Sequence, residues 1–227
     1  IVRRVGAMDY QLGAARRLAP ITHPHYTHFQ LDLADLAALR IVLDTELAPL
    51  LADPAVSRVG LVNNAAKEGL LGPITRLDAT ALADIYAVNV TAPILLMGWF
   101  QRHAPPGRPL RIVNVSTGAA VMPIPGLGAY ASSKAALRMA GMILGAELDA
   151  DTAPPERTIL SYEPGLVDTP MQTAVRTSSV EIVPSVQMFK EFQSSGALVA
   201  PARPAREIAE YLESDGHARW EERRLPG

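Results

Sequence analysis

The sequence contains no cysteine, which excludes disulfide bridges, thiolate zinc sites and cysteine nucleophiles together. Its 21 Lys+Arg against 23 Asp+Glu leave a formal net charge of −2, so the basic surplus of a nucleic-acid-binding face is missing. Hydrophobic residues make up 48% of the chain, yet no unbroken apolar run approaches the ~18 residues of a membrane span. The best stretch, 92–100, is far shorter. The opening Ile-Val-Arg-Arg-Val-Gly does not compose a signal peptide. These absences lead to the expectation of a cytoplasmic protein with neither a nucleic-acid nor a membrane partner, its 227 residues forming one domain over 1–227.

What is present alternates short β-branched runs with longer amphipathic stretches, the pattern of βαβ units and a mostly parallel sheet. Strands are expected at Tyr26 to Leu31, Arg58 to Val62, Leu110 to Ser116 and Arg157 to Tyr162. Asp35 suits the cap of a helix on which Leu36, Leu39, Leu43, Leu47 and Leu50 recur at helical spacing. A second helix follows Asp78 and runs to Phe100, kinked or divided at Pro93. A third spans Tyr130 to Leu148. Residues 165–200 carry Gly165, Pro170 and Pro184, and read as a long irregular segment of the kind that forms lids and binding loops. Met171, Met188, Phe189 and Phe192 are its candidate apolar lining. His23, His25 and His28 lie close together without supporting carboxylates, which favours a solvent-facing cluster over a metal site.

The densest chemistry is at Tyr130-Ala-Ser-Ser-Lys134. Residues i and i+4 share a helix face, so phenol and ammonium can converge. A cation beside the phenol would lower its pKa from about 10 and make Tyr130 a usable general acid or base. The strand before it ends in the hydroxyl pair Ser116-Thr117, at the carboxyl end where open parallel sheets bind ligands. Either hydroxyl of that pair can be the working one.

Five segments in order, LDLAD at 31–35, VNNAA at 62–66, YAVNV at 86–90, IVNVST with YASSK, and EPGLVDTPM at 163–171, resemble the short-chain dehydrogenase/reductase family. PGLVDTPMQ, FKEFQSSGALV and PAREIAEYLE are most similar to its sepiapterin reductase and benzil reductase branch. The resemblance implies a Rossmann-type, three-layer, doubly wound α/β fold and a nicotinamide cofactor. It implies Tyr130 as proton donor to a substrate carbonyl, Thr117 as a hydrogen-bond donor to that oxygen, Lys134 on the nicotinamide ribose and Asn89 as anchor of a water relay behind the lysine. For the cofactor it implies Asp32 and Leu33 at the adenine, Asn63 and Ala65 beneath the adenosine ribose, and Pro164, Gly165, Val167 and Thr169 over the nicotinamide. Local alternatives remain for three of these: Asp32 also suits a helix cap, Asn89 a backbone contact at a helix kink, and Thr169 with Asp168 a simple turn.

The chain departs from the family pattern at Thr117, where a serine is usual, and at Ala66, where a glycine is usual and a positive φ would strain alanine. No glycine-rich pyrophosphate loop precedes LDLAD. Two alignments of the start arise. One makes Ile1 to Val5 the first strand and Gly6 to Gly13 an altered glycine loop. The other makes Ile1 to Arg4 the tail of the second strand and Met8 to Ala19 the helix after it, with about 30 residues of the fold absent. The second spacing fits better, and puts Arg3 and Arg4 where relatives carry a base for a 2′-phosphate, so NADP(H) is expected over NAD(H). The resulting reading is an NADPH-dependent reductase of a small ketone or diketone, forming a homodimer or homotetramer. A catalytically silent nucleotide-sensing or scaffold protein and an NAD-dependent alcohol dehydrogenase are the alternatives.

Overall fold

Runs of Val, Ile and Leu at 56–63, 110–115 and 157–163 supply the middle of a sheet. A computed structural model describes residues 2–4, 11–17, 21–150 and 156–226. Its strands are β1 (Val2–Arg4), β2 (Gln11–Ala15), β3 (Tyr26–Gln30), β4 (Val56–Asn63), β5 (Leu110–Val115), β6 (Arg157–Glu163) and β7 (Trp220–Arg224). The order β1-β4-β5-β6-β7 makes a five-stranded sheet, and β2-β3 make a second sheet of two strands. β4 to β7 run parallel to one another. The helices are α1 (Leu36–Val42), α2 (Ala48–Leu51), α3 (Ala79–Tyr86), α4 (Ala92–His103), α5 (Gly128–Ala150), α6 (Pro170–Arg176), α7 (Val186–Ser194) and α8 (Ala202–Glu213).

Side chains along β5 and β6 alternate between two faces, as the pleat requires. Leu110, Ile112 and Ile159 pack under Leu39 of α1, Met97 and Phe100 of α4, and Leu137 and Leu148 of α5. Val113, Leu160 and Tyr162 pack on the other side, under Tyr211 and Leu212 of α8. Both faces of the parallel strands are therefore covered, each buried aliphatic side chain contributing about 1.5–3 kcal/mol. Arg111, 2% exposed, joins Arg58 on Asp215, each 2.8 Å away, which fastens the end of α8 to the sheet.

Asp35 caps α1 by accepting from the Ala38 N–H at 2.9 Å, and Asp78 caps α3 from Ala81 at 2.8 Å. The division expected at Pro93 is a π-helical turn, Ala87–Thr91, between α3 and α4. A similar turn, Leu43–Leu47, joins α1 to α2 ahead of Pro49. A proline has no N–H and crowds the carbonyl four residues back, and a widened turn accommodates both defects. The helical segment 79–103 is long and apolar enough to cross a bilayer by length and composition, whereas the longest apolar run expected from sequence, 92–100, is far too short. Here Ile85, Met97, Trp99 and Phe100 are buried inside the protein, and Asp84 pairs with Lys67 at 2.7 Å.

Two expectations for the amino end are corrected. β1 pairs antiparallel with β4, so it is not the second strand of a parallel sheet. Within the helix expected over Met8 to Ala19, Gln11–Ala15 form a strand paired in parallel with β3. Residues 8–10 and 18–19 of that stretch lie outside the described residues. Gly13 carries part of the reason: it faces Tyr26 so closely that a Cβ there would sit 2.1 Å from the phenol oxygen. Leu12 meanwhile reaches the main core. The stretch 165–200 is also more regular than expected, holding α6 and α7, which fold around Val175, Val183, Val186 and Phe189.

Gly141 and Gly145 let α5 approach β7. A Cβ at Gly145 would lie 2.6 Å from Trp220 Cβ. Gly145→Ala gains about 1 kcal/mol of helix propensity but meets an overpacking cost of about 1–3 kcal/mol. The expected outcome is a net loss of stability and a lower thermal midpoint at unchanged denaturant m-value. A raised midpoint would show that α5 can withdraw from Trp220.

Candidate active site

Because β4, β5 and β6 are adjacent and parallel, the segments leaving their carboxyl ends emerge along one edge. Those segments are 64–72, 116–127 and 164–169. At the middle position Ser116 is buried, and its N–H donates to the Tyr162 carbonyl at 2.7 Å. Thr117 is extended, with φ −162° and ψ 154°, and caps the short 3₁₀ turn Gly118–Ala120. Its Oγ1 accepts from the Ala119 N–H at 3.3 Å, which leaves the hydroxyl hydrogen free to donate.

Tyr130 and Lys134 stand one turn apart near the start of α5. Lys134 is 2% exposed, and its Nζ donates to the Val115 carbonyl at 2.7 Å, bringing the ammonium to the end of β5 beside the Ser116-Thr117 pair. Burial lowers the Lys134 pKa to about 8. Burial also raises the Tyr130 phenol to about 12, with the Glu68 charge adding to it. The lowered phenol expected from sequence is thus corrected. The ammonium is engaged by the Val115 carbonyl, and the influences on the phenol, desolvation first and the Glu68 charge second, both act upward. At neutral pH Tyr130 is a protonated donor.

Asn89, wholly buried, sits in the π-helical turn. Its Nδ2 donates to the Lys67 carbonyl at 2.9 Å and to Ser133 Oγ at 3.0 Å, while its Oδ1 accepts from the Lys67 N–H at 2.7 Å. Ser133 in turn donates to the Tyr130 carbonyl at 2.7 Å. Asn89 therefore makes the backbone contact at the helix kink that was its local alternative, and it reaches α5 through Ser133, next to Lys134. Asn63, also buried, donates to Asn114 Oδ1 at 2.8 Å across the β4–β5 ladder. Asn114, which the sequence reading passed over, is thus part of the same edge. Ala65 is exposed just beyond β4. Ala66 carries no strain, since no non-glycine residue has positive φ among the described residues.

On the loop after β6, Gly165 has φ 71°, a conformation that favours glycine, and follows Pro164. Val167 bridges to Val199. Thr169 caps α6 by accepting from the Gln172 N–H at 3.4 Å. Asp32 accepts from the Ala34 N–H at 2.9 Å, a local turn, while the helix cap falls to Asp35. Leu33 is half-buried against the core. Phe189 and Phe192 pack edge to face, 6.0 Å apart, inside the small core of the 165–200 segment. Met188 is exposed.

Arg3 and Arg4 are not brought to this edge. Antiparallel pairing sets Arg3 opposite Arg58 and Arg4 opposite Val56, at the start of β4. Arg16 and Arg17, missed in the sequence, leave the carboxyl end of β2 and are exposed. The Arg16 carbonyl accepts from Gln30 Nε2 at 3.2 Å, two residues from Asp32. The signal was the Arg-Arg pair ending a run of small residues, read as helix.

A model of the short chain dehydrogenase family matches residues 11–179. The chain belongs to the short-chain dehydrogenase/reductase family. This short-chain dehydrogenase/reductase is an oxidoreductase of a family that binds NAD(P)(H). It is 32% identical over 203 residues to benzil reductase ((S)-benzoin forming) of Bacillus subtilis, covering 88% of the chain and 81% of the relative. It is 32% identical over 168 residues to sepiapterin reductase of Bos taurus, covering 70% and 59%. A short-chain dehydrogenase/reductase structure from Burkholderia vietnamiensis superposes with a TM-score of 0.60 at 30% identity, covering 75% of this chain and 80% of that one.

The residues of this short-chain dehydrogenase/reductase fit the nicotinamide-ribose half of such a cofactor. Lys134 Nζ gives one hydrogen to Val115 and keeps two for ribose hydroxyls. Gly165 and Thr169 offer a backbone turn and a hydroxyl on the same edge. Among the described residues no glycine-rich turn leads from a strand into a helix N-terminus for the pyrophosphate.

The Lys134 shift is also a statement about stability. Its folded pKa of about 8 lies below the ordinary 10.5, so between those values the unfolded chain binds more protons than the folded one and stability rises with pH. Below pH 8 the buried charge costs roughly 3 kcal/mol. Lys134→Met is expected to remove that rise, read as the pH dependence of urea-unfolding free energies from pH 7 to 10.5. An unaltered slope would show that Lys134 is not the titrating group.

Proposed function

We propose that this protein reduces a small ketone or 1,2-diketone to an alcohol, with NADPH as the hydride source. The observation that carries the reading is the half-buried Tyr130 phenol on the turn of α5 that Lys134 ties to the Val115–Thr117 strand end, a phenol that desolvation and the Glu68 charge push up to about 12 and so keep protonated at neutral pH. A neutral phenol can give a proton, which suits reduction; alcohol oxidation needs it as a base. The likeness to benzil reductase and sepiapterin reductase supports the same direction and a carbonyl flanked by a second polar or aromatic group.

NADPH, when bound, supplies the hydride. The chain's own contribution is the proton and the field around the carbonyl oxygen. Thr117, its oxygen already accepting from Ala119, donates its hydrogen to the substrate oxygen and stabilises the negative charge that develops there. Tyr130 Oη delivers its proton to that oxygen, and the Lys134 ammonium offsets the phenolate left behind. Segment 165–200 follows the loop after β6 and packs on Leu127 at the end of the 116–127 segment.

Tyr130→Phe should lower kcat for NADPH oxidation with benzil by at least about 100-fold, the contribution typical of general acid catalysis, with NADPH binding retained by fluorescence titration. Full turnover in that variant would sink the mechanism. The 2′-phosphate partner is assigned to Arg16 and Arg17 at the end of β2. Arg16→Glu with Arg17→Glu should therefore weaken NADPH binding by tenfold or more and leave NADH binding nearly constant. Equal loss for both cofactors would remove that assignment.

A further inference from the structure

Residues 67–72 border the site, and no contact with the substrate has yet been assigned to them. This segment is pinned along the entrance to α5 at three places. Gly72 bridges to Leu127, its N–H donating to the Gly126 carbonyl at 2.8 Å. Gly69, at φ 77°, lies so close that a Cβ would fall 2.1 Å from Ile85 Cδ1 and 3.8 Å from the Cβ of Ala129, the residue before Tyr130. Asn89 holds both the N–H and the carbonyl of Lys67. Glu68 stands between these anchors and is half-buried.

The neighbouring cation does not neutralise it. Lys67 Nζ is committed to Asp84 at 2.7 Å, and among the described residues Glu68 has no hydrogen bond or ion pair. Its charge nonetheless reaches the Tyr130 phenol, which it helps to push up. The site edge thus carries a half-buried carboxylate that is unpaired among the described residues, on a segment held beside Ala129, the residue before the proton donor, and Val121 and Met122, which follow Thr117, are apolar and exposed.

We propose that Glu68 is a specificity-determining residue that selects ketones carrying a cationic nitrogen next to the carbonyl and disfavours anionic keto acids. The proposal rests on the reduction reading. A cation bound beside Glu68 gains an ion pair, and it also offsets the repulsion that Glu68 exerts on ionised Tyr130, so the effect falls on both KM and kcat. A carboxylate in the same place is repelled. Partial exposure limits the ion pair to about fivefold, and loss of the repulsion adds to that.

The test uses three phenyl ketones with NADPH at neutral pH: phenacyltrimethylammonium, whose charge does not titrate, acetophenone and phenylglyoxylate, with benzil as the activity reference. In wild type the cation is the preferred member. In Glu68→Gln the ratio of kcat/KM for phenacyltrimethylammonium over acetophenone should fall about fivefold or more. In Glu68→Lys it should fall further, while phenylglyoxylate gains on acetophenone. Glu68→Asp, which keeps the charge, should retain much of the preference, and this separates a charge effect from a disturbance of the segment. Turnover with the same ratios in all four proteins overturns the selectivity alone. No turnover of benzil or of any of the three ketones by wild type overturns the reduction reading and the selectivity with it.

Discussion

The bond from the buried Lys134 ammonium to the Val115 carbonyl holds the end of β5 to the beginning of α5, and the candidate site is arranged around it. An ammonium that is 2% exposed has lost most of its hydration, so it retains its proton only through the groups that replace water. A carbonyl at the last position of a parallel strand is a suitable replacement. The same bond fixes the face of α5 toward Thr117, and so decides which phenol meets the carbonyl-binding edge. The cost is a lysine whose charge is nearly in balance near pH 8.

Asn89 makes the second tie. It satisfies Lys67 on one side and Ser133 on the other, and it can do so because a π-helical turn carries it inward between α3 and α4. The same turn accommodates Pro93. One local departure from helix geometry thus supports three things: a buried amide, the α5 entrance and the position of the segment bearing Glu68. Asn63 and Asn114 extend this polar edge across β4 and β5, each amide satisfied by the other or by Met97.

Elements specified by nearby residues were readable in the chain. The strands at 56–63, 110–115 and 157–163, the cap Asp35, the helix start after Asp78 and the i, i+4 pair on α5 all follow from short-range pattern and spacing. The beginning of the chain was not readable in the same way. QLGAA has a composition that suits a helix as well as a strand, and the choice came from pairing with Tyr26–Gln30 and from the close approach of Tyr26 to Gly13. With β2 placed, Arg16 and Arg17 lie just past its carboxyl end, while Arg3 and Arg4 lie on β1 beside the start of β4. The 165–200 segment looked irregular because its helices are only 7 and 9 residues long, and helices this short depend more on packing than on their own pattern.

By itself the sequence determined the α/β class, the order of the motifs, the Tyr130–Lys134 pair on one helix face and the hydroxyl at the strand end, since each depends on residues a few positions apart. Only the tertiary structure decided the direction of the Tyr130 shift, the part of the Glu68 charge in it, the hydrogen-bonding partners of Asn89 and the antiparallel course of β1. Burial and charge act through space, and the groups that set them here lie tens of residues away along the chain.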